Sequence, residues 1–456
     1  MINKQRIHEI NRINSDGWGD YVLYWMQTSK RVKLNHALSF AIEQANKLHV
    51  PVICAYCLYE MPESNRRAYD FLLKGLVETA DEIEKLGIKF IFRVGNPSKV
   101  IPDLAKKASC VITDFGYLKH QKKITKQVAS KIENQLIAIE SDIVIPVDTA
   151  SNKREYNAST IRRKIMPKVS EYITPVKIPK VEKSSTKLKM KSDKLDLESI
   201  NSLIDKLDID HSVNPADCFE PGSKAAQKML DKFIANKLSQ YSDRNDPSKE
   251  IESHLSPYIN FGQISPIDIA IQIEKSNASK LEKETFWEQL IVRRELAINF
   301  AHFSDDYDSY STLPDWAQKS LAKHSSDKRE YLYSFSELEN AKTHDDYWNA
   351  AQLQMANTGK MHNYMRMYWG KKILEWSKSP ESAFETIAKL NNKYELDGRS
   401  ANGYAGIAWC LGNHDRPWAN RPVFGSIRYM NAAGLERKFN IKTYAKKWLP
   451  EFAHSK

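Results

Sequence analysis

PVICAYCLYEMPESNRRAYDFLLKGLVETADEIEKLGIKFIFRV, residues 51 to 94, contains one complete strand, helix and strand pattern. The runs PVICAYCL and IKFIFRV are short and apolar, rich in β-branched and aromatic residues, as strands buried on both faces require. Between them FLLKGLVETADEIEKL is amphipathic on helical spacing, and Gly87 supplies a C-terminal cap. The alternation extends outward, with VLYWM (22–26) and HALSFAIEQANKL (36–48) before it and CVITDF (110–115) and LIAIESDIVIPV (136–147) after it. A buried parallel sheet of the α/β kind is therefore predicted from Tyr21 to Val147. No G-x-G-x-x-G or G-K-S/T follows any of these strands, so dinucleotide and Walker-type phosphate loops have no support here. Cys54 and Cys57 form C-x-x-C inside a strand, with no helix N-terminus to activate a thiolate, and read as core.

With 456 residues the chain has room for two or three domains. Hydrophobic residues at 41% and charged residues at 27% are ordinary globular usage, which excludes a disordered chain. The net charge of +11 favours a polyanionic partner, although lysine-rich solubility explains it equally well. The start MINKQRIHEINRINSDGWGD has no apolar leader core, and no run approaches the roughly 20 apolar residues of a membrane span, so a cytoplasmic protein is expected. Five scattered cysteines make a disulfide framework improbable. The twelve histidines show no H-E-x-x-H spacing, and no G-x-S-x-G occurs, so no metal site or serine hydrolase is expected. From Thr174 to Leu195 the chain reads TPVKIPKVEKSSTKLKMKSDKL, with seven lysines against Glu182 and Asp193, and is expected to be an exposed linker. Beyond Pro221 the periodicity is helical, with Phe286, Leu290, Ala297 and Phe300 on one apolar stripe. The expected division is 1–173 α/β, 174–220 basic linker and connecting helix, and 221–456 nearly all α.

Three aromatic segments stand out in the helical half: WNAAQLQMANTGKMHNYMRMYWGKKILEW (348–376), LNNKYELDGRSANGYAGIAW (390–409) and HDRPWANRPVFGSIRYMN (414–431). Their Trp, Tyr, Met, Asn and Arg content suits electron transfer and base stacking. Trp369 and Trp376, seven residues apart, share a helix face with about 10 Å of rise between them. Together with WEQLIVRRELAINF (287–300), LSPYINFGQISP (255–266) and YVLYWMQTSKRV (21–32), these segments closely resemble the class II DNA photolyases, flavin enzymes that split cyclobutane pyrimidine dimers with light. The resemblance covers nearly the whole chain apart from its tips and the lysine-rich linker. It implies a Rossmann-like N-terminal domain, which in photolyases holds at most an accessory deazaflavin or folate antenna, followed by a helical domain that binds FAD and DNA.

The resemblance also assigns residues. Ser253, Leu255 and Ser256 would meet the FAD phosphates, with Tyr241 and Arg244 just upstream; taken as residues alone, serines before a proline are caps. Asn391 would face flavin N5, with Asn402 as the alternative, and Asn349, Asp397 and Gln289 would also contact the cofactor; loop asparagines are ordinarily turn formers. Trp376, Trp348 and Trp369, with Tyr333 as an extra donor, would carry electrons to the flavin, whereas a lone buried Trp is usually packing. A thymine dimer must be flipped out of the duplex to react. Met367 and Trp409 would contact it, and Glu288 would be the assisting acid, in a position where the family carries a glutamate pair and this chain has Glu288 followed by Gln289. Arg416 and Arg428 would enter the gap left by the flipped bases, and Arg244, Lys360 and Arg366 would meet phosphates.

The implied activity is light-driven repair of cyclobutane pyrimidine dimers in double-stranded DNA, with FAD as cofactor and no membrane or obligate protein partner. The alternative is a cryptochrome-like flavin photosensor that repairs nothing; Trp409, Met367 and Glu288 favour repair, and no long tail follows Lys456 to act as a signalling segment. A third reading, an α/β domain joined to an unrelated helical RNA-binding module, would carry no flavin.

Overall fold

The computed structural model describes residues 2–11, 13 and 18–449; the other residues, including part of the amino-terminal stretch and the tail read above, lie outside the described residues. All the predicted strand runs form strands: β2 (Tyr21–Trp25), β3 (Val52–Leu58), β4 (Lys89–Val94), β5 (Ala108–Asp114) and β6 (Leu136–Ile139), preceded by β1 (Ile7–Glu9). Their order in the sheet is β1-β6-β5-β2-β3-β4, and every pairing is parallel except β1 with β6. β2, β3, β5 and β6 are buried at every residue, which accounts for their unbroken apolar sequences. β1 escapes sequence reading because Ile-His-Glu has no strand pattern of its own; it forms where Ile7 pairs with Ile139 and Glu9 with Ile137.

The lysine-rich segment differs from expectation. It lies along the outer edge of β4, where Ser185 N–H donates to Gly87 O (2.9 Å), Phe92 N–H to Ser192 Oγ (3.0 Å) and Asp193 N–H to Phe92 O (2.7 Å). Its serines and aspartate thus satisfy an edge strand that would otherwise be open to pairing with another chain, while the lysines face solvent.

The order of strands reverses between β2 and β5, and the loops at the carboxyl ends of β2, β5 and β6 converge there. Asp114 at the end of β5 accepts the N–H groups of Gln27, Thr28 and Ser29 at 2.8, 2.9 and 3.1 Å, which folds the loop after β2 back over the sheet edge. Arg31 bridges Asp142 Oδ1 (2.7 Å) and Gly262 O (3.0 Å). Gly262 has φ +69°, and a Cβ there would lie 1.7 Å from Thr28 O, so the helical region can dock on this loop only with glycine at the contact. One apolar core accordingly runs from Val22, Tyr24 and Cys54 of the sheet to Phe233, Phe261 and Ile267 of the helices. A second core holds the helices Asp346–Thr358, Asn363–Trp376, Pro380–Tyr394 and Ala401–Cys410. No helix among the described residues is long and apolar enough to cross a membrane.

The helix that begins at Lys280 continues to Phe303, but from Glu288 to Arg293 it winds as a π-helix. Glu295 lies just beyond this stretch, 1% exposed, with Oε1 accepting the Val144 N–H (2.9 Å) and Oε2 buried without a partner. Burial pushes its carboxyl from 4.5 up to about 8, against the opposing pull of Arg294 and the Val144 N–H. A carboxyl with a raised folded pKa holds its proton more tightly in the fold, so this stabilisation is complete at low pH and is lost as pH climbs from about 4.5 through about 8. Glu295→Gln keeps the acceptor for Val144 and removes the titration. Its urea midpoint should therefore decline less than that of the wild type over that window, and parallel declines would disprove the assignment.

Candidate active site

A cavity of about 590 Å³ opens where the sheet's carboxyl ends meet the helices, a size typical of cofactor pockets. Thr28, Phe115 and Asp142 form its sheet-side wall, and Gln289, Leu290 and Arg294 project into it from the π-wound helix. Tyr241, Arg244, Ser253, Leu255 and Ser256, all expected at a phosphate site, line it as well. His254 Nδ1 and Arg294 Nη1, both on the cavity wall, are buried without hydrogen-bond partners. Burial holds the His254 imidazole down to about 4, so it is neutral at pH 7, and Arg294 supplies the charge. A guanidinium with an unpartnered Nη1 on the wall of a cavity that serine hydroxyls also line is a donor set suited to a pyrophosphate.

Asp397 also lines the cavity and anchors a buried ion cluster. Arg366 Nη2 reaches Asp397 Oδ1 (3.0 Å) and Glu395 Oε1 (2.9 Å), while Lys360 Nζ lies 3.3 Å from Asp397 Oδ2. Burial alone would raise the Asp397 carboxyl, but Arg366 and Lys360 hold it well below the usual carboxylate range. For Glu395 burial wins over Arg366, and its carboxyl is pushed up to about 7. Glu252 is kept at about 2 despite burial, because His362, Lys360 and His254 face it. Lys360 and Arg366, expected at DNA phosphates, are committed instead to these internal carboxylates.

Met367 and Trp409 supply an apolar and aromatic wall. Two cations lie over the Trp409 ring, with Lys371 Nζ 4.8 Å and Arg428 Cζ 5.5 Å from its centroid. Lys371 is fully buried, which pulls its ammonium down to about 8, and it donates to Cys410 O (2.7 Å). Arg428 is tied to Asp415 (3.0 Å), and Arg416 and Arg428 both lie over the exposed Trp418 ring, outside the cavity.

Four of the expected placements differ in the structure. Glu288 does not line the cavity: its carboxylate accepts from Arg162 Nε (3.0 Å) and Nη2 (2.7 Å) and from Arg293 Nε (3.0 Å), and its neighbour Gln289 faces inward. Asn391 lies within the helix Pro380–Tyr394 rather than in a loop, buried and donating to Asn392 Oδ1 (3.1 Å), whereas Asn402 is on the cavity wall. Asn349 is turned away toward Thr343, accepting its N–H (3.1 Å) and donating to its carbonyl (2.8 Å). Finally, Trp376 and Trp369 are not direct neighbours. Trp348 inserts between them, stacked on Trp369 at 6.2 Å and 10° and meeting Trp376 at 5.6 Å and 67°. Tyr333 adjoins Trp376 at 5.3 Å and 77°, extending the row toward the surface. Arg293 and Arg294 on the cavity wall were missed, although two arginines beside Gln289 were a readable sign of anion binding.

A family model described as DNA photolyase matches residues 22–180. Deoxyribodipyrimidine photo-lyase of Methanothermobacter thermautotrophicus is 44% identical, with the match covering 97% of this chain and 98% of that one. The protein of the same name from Arabidopsis thaliana is 41% identical over 93% of this chain and 88% of its own. Among solved structures, a class III photolyase from Agrobacterium tumefaciens shares the fold with a TM-score of 0.75 at 20% identity, over 97% of this chain and 89% of that one. A Synechocystis cryptochrome shares it at 0.73 and 16%, over 95% and 89%. End-to-end similarity at this identity, on a mostly parallel sheet joined to a helical domain with a cavity between them, has a single consequence: the chain belongs to the DNA photolyase family.

Proposed function

We propose that this chain repairs cyclobutane pyrimidine dimers in double-stranded DNA with light, as a class II member of its family, with FAD held in the cavity. The observation that carries the reading is that one cavity combines unpartnered buried donors at Arg294 and His254 with the Met367 and Trp409 wall. Ser253, Ser256 and Arg294 would hold the pyrophosphate, while Asp397 and Asn402 would meet polar edges of the cofactor. FAD bound there supplies a light-excitable electron donor whose electron opens the dimer's two ring bonds and then returns. Trp409 and Met367 give a flipped dimer an apolar surface that excludes water, and the cations over Trp409 fix the plane of its ring. Gln289 can donate its amide to a thymine carbonyl but cannot transfer a proton to it. These wall residues favour repair over a cryptochrome-like photosensor. The resemblance would seat an accessory deazaflavin or folate in the N-terminal α/β domain, and the division at 173 and 220 follows from the same reading.

Purified protein should show flavin absorption and, once reduced and illuminated, restore thymine-dimer DNA. A colourless protein, or a flavin-loaded one that leaves dimers intact, overturns the reading. Gln289→Glu should raise the yield of repair per absorbed photon, because a protonated acid stabilises charge on the thymine better than an amide. Glu288→Ala should leave the yield near wild type; the opposite pattern would place Glu288 at the dimer.

A further inference from the structure

The tryptophan row ends in a group whose chemistry differs from the rest. Each inner indole N–H is committed to an amide oxygen: Trp348 Nε1 donates to Trp369 O (3.0 Å) and Trp369 Nε1 to Gln352 Oε1 (2.9 Å). Amide oxygens are very weak bases, so an oxidised indole there keeps its proton and its hole remains free to move. Tyr333 has a different partner. Its hydroxyl lies 2.6 Å from His344 Nδ1, and its oxygen accepts the His344 backbone N–H (3.0 Å). The Tyr333 backbone N–H is joined to Trp376 O (3.4 Å), which keeps phenol and indole together. His344 is exposed and stacks on Tyr331 at 3.8 Å, so its imidazole has a route to solvent. The Lys372 ammonium, 5.3 Å from the Trp376 ring and paired with Glu375 (2.7 Å), disfavours positive charge on that indole.

We propose that His344 is the proton acceptor that lets Tyr333 serve as the terminal electron donor of the tryptophan row. This rests on the flavin reading above. In the step, the Trp376 radical cation, formed when its electron moves inward toward the photoexcited oxidised flavin, takes an electron from Tyr333. The phenolic proton moves to His344 Nδ1 at the same time. The products are a neutral indole, a neutral tyrosyl radical and an imidazolium, and charge balances. The imidazolium then releases its proton to solvent, and an added thiol returns a hydrogen atom to the phenoxyl oxygen, the resulting thiyl radicals pairing as disulfide. A phenol without a base would have to form a far less accessible cation, so the row would stop at Trp376 and the electron would fall back.

The test is flash photolysis of flavin-loaded protein without reductant, with radicals identified by electron paramagnetic resonance. Wild type should show a tryptophan radical giving way to a tyrosyl radical, more slowly in heavy water. Tyr333→Phe should lose the tyrosyl signal. In His344→Gln its formation should slow on the order of a hundredfold, the loss typical of removing a general base, and added imidazole should restore it in His344→Ala. Equal tyrosyl formation in wild type and His344→Gln, absence of any tyrosyl radical in wild type, or failure of imidazole rescue would overturn the proposal. Absence of even a tryptophan radical in wild type would instead overturn the flavin reading on which it rests.

Discussion

Trp348→Phe should leave oxidised FAD almost unreduced under blue light with thiol present, while the same protein, reduced chemically, still repairs dimers. Phenylalanine cannot be oxidised reversibly under these conditions, so the substitution cuts the row at its centre. Trp348 comes from the helix Asp346–Thr358 and fills the gap between two tryptophans of the helix Asn363–Trp376. Without it, a hop must span the seven-residue separation of Trp369 and Trp376, about 10 Å along the axis, instead of two contacts of 6.2 and 5.6 Å between centroids. Trp376→Phe should have a milder effect, because the stacked inner pair survives and only the outward step is lost. The measurement is the initial rate of flavin bleaching, normalised to flavin content so that a packing defect is not mistaken for a broken relay. Photoreduction at the wild-type rate in Trp348→Phe would remove that residue from the path.

The second large effect belongs to Arg366. Its guanidinium is the shared partner of Asp397 and Glu395, whose side chains are 11% and 0% exposed. Arg366→Ala would leave two buried carboxyls without the cation they share, and breaking such a pair typically costs about 3 to 5 kcal/mol. A lower urea midpoint and loss of flavin on gel filtration are expected together, because Asp397 and Arg366 both line the cavity. The pH dependence has two opposite signs. Asp397 and Glu252 are depressed, so their stabilisation is present above the ordinary carboxylate range and is lost as pH falls toward about 2 at Glu252. Glu395 is raised from 4.5 to about 7, so its share is present at low pH and is lost as pH rises between those values. Arg366→Ala should therefore weaken the protein most near and above neutrality, where Glu395 has to ionise without its cation. An unchanged midpoint at pH 8 would show that the cluster relaxes around the loss.

The strands were legible because burial on both faces leaves continuous apolar runs, and β1 was not, because its pairing comes entirely from β6. Ser253, Ser256, Tyr241, Arg244, Met367, Trp409 and Asp397 were found through dense local motifs, and all reach one cavity. The choice between Glu288 and Gln289 could not be made from sequence. A regular helix advances 100° per residue, but the π winding over Glu288–Arg293 changes that phase at the residues in question. The placement of Asn391 in a loop was misread for a related reason: LNNKYELDG looks like a polar loop, yet the helix runs on through Tyr394 before the chain turns. The order of the tryptophans was hidden because Trp348 arrives from a different helix, and spacing along one helix cannot reveal an inserted ring from another. The contacts of the basic segment with β4 were not legible because lysines dominate its composition while its serines and Asp193 make the contacts.

The continuous core, with Gly262 pressed against Thr28, bears on how such proteins can be recombined. A chimera that took residues up to the basic segment from one relative and the helical half from another would join two surfaces that had never been fitted to each other. The core that holds Val22 and Tyr24 together with Phe261 and Ile267 would be filled from two mismatched sources, and any side chain in place of Gly262 would collide with the loop after β2. The two halves are thus inherited as a matched pair, and shuffling within the family should succeed only where both sides of this seam are exchanged together.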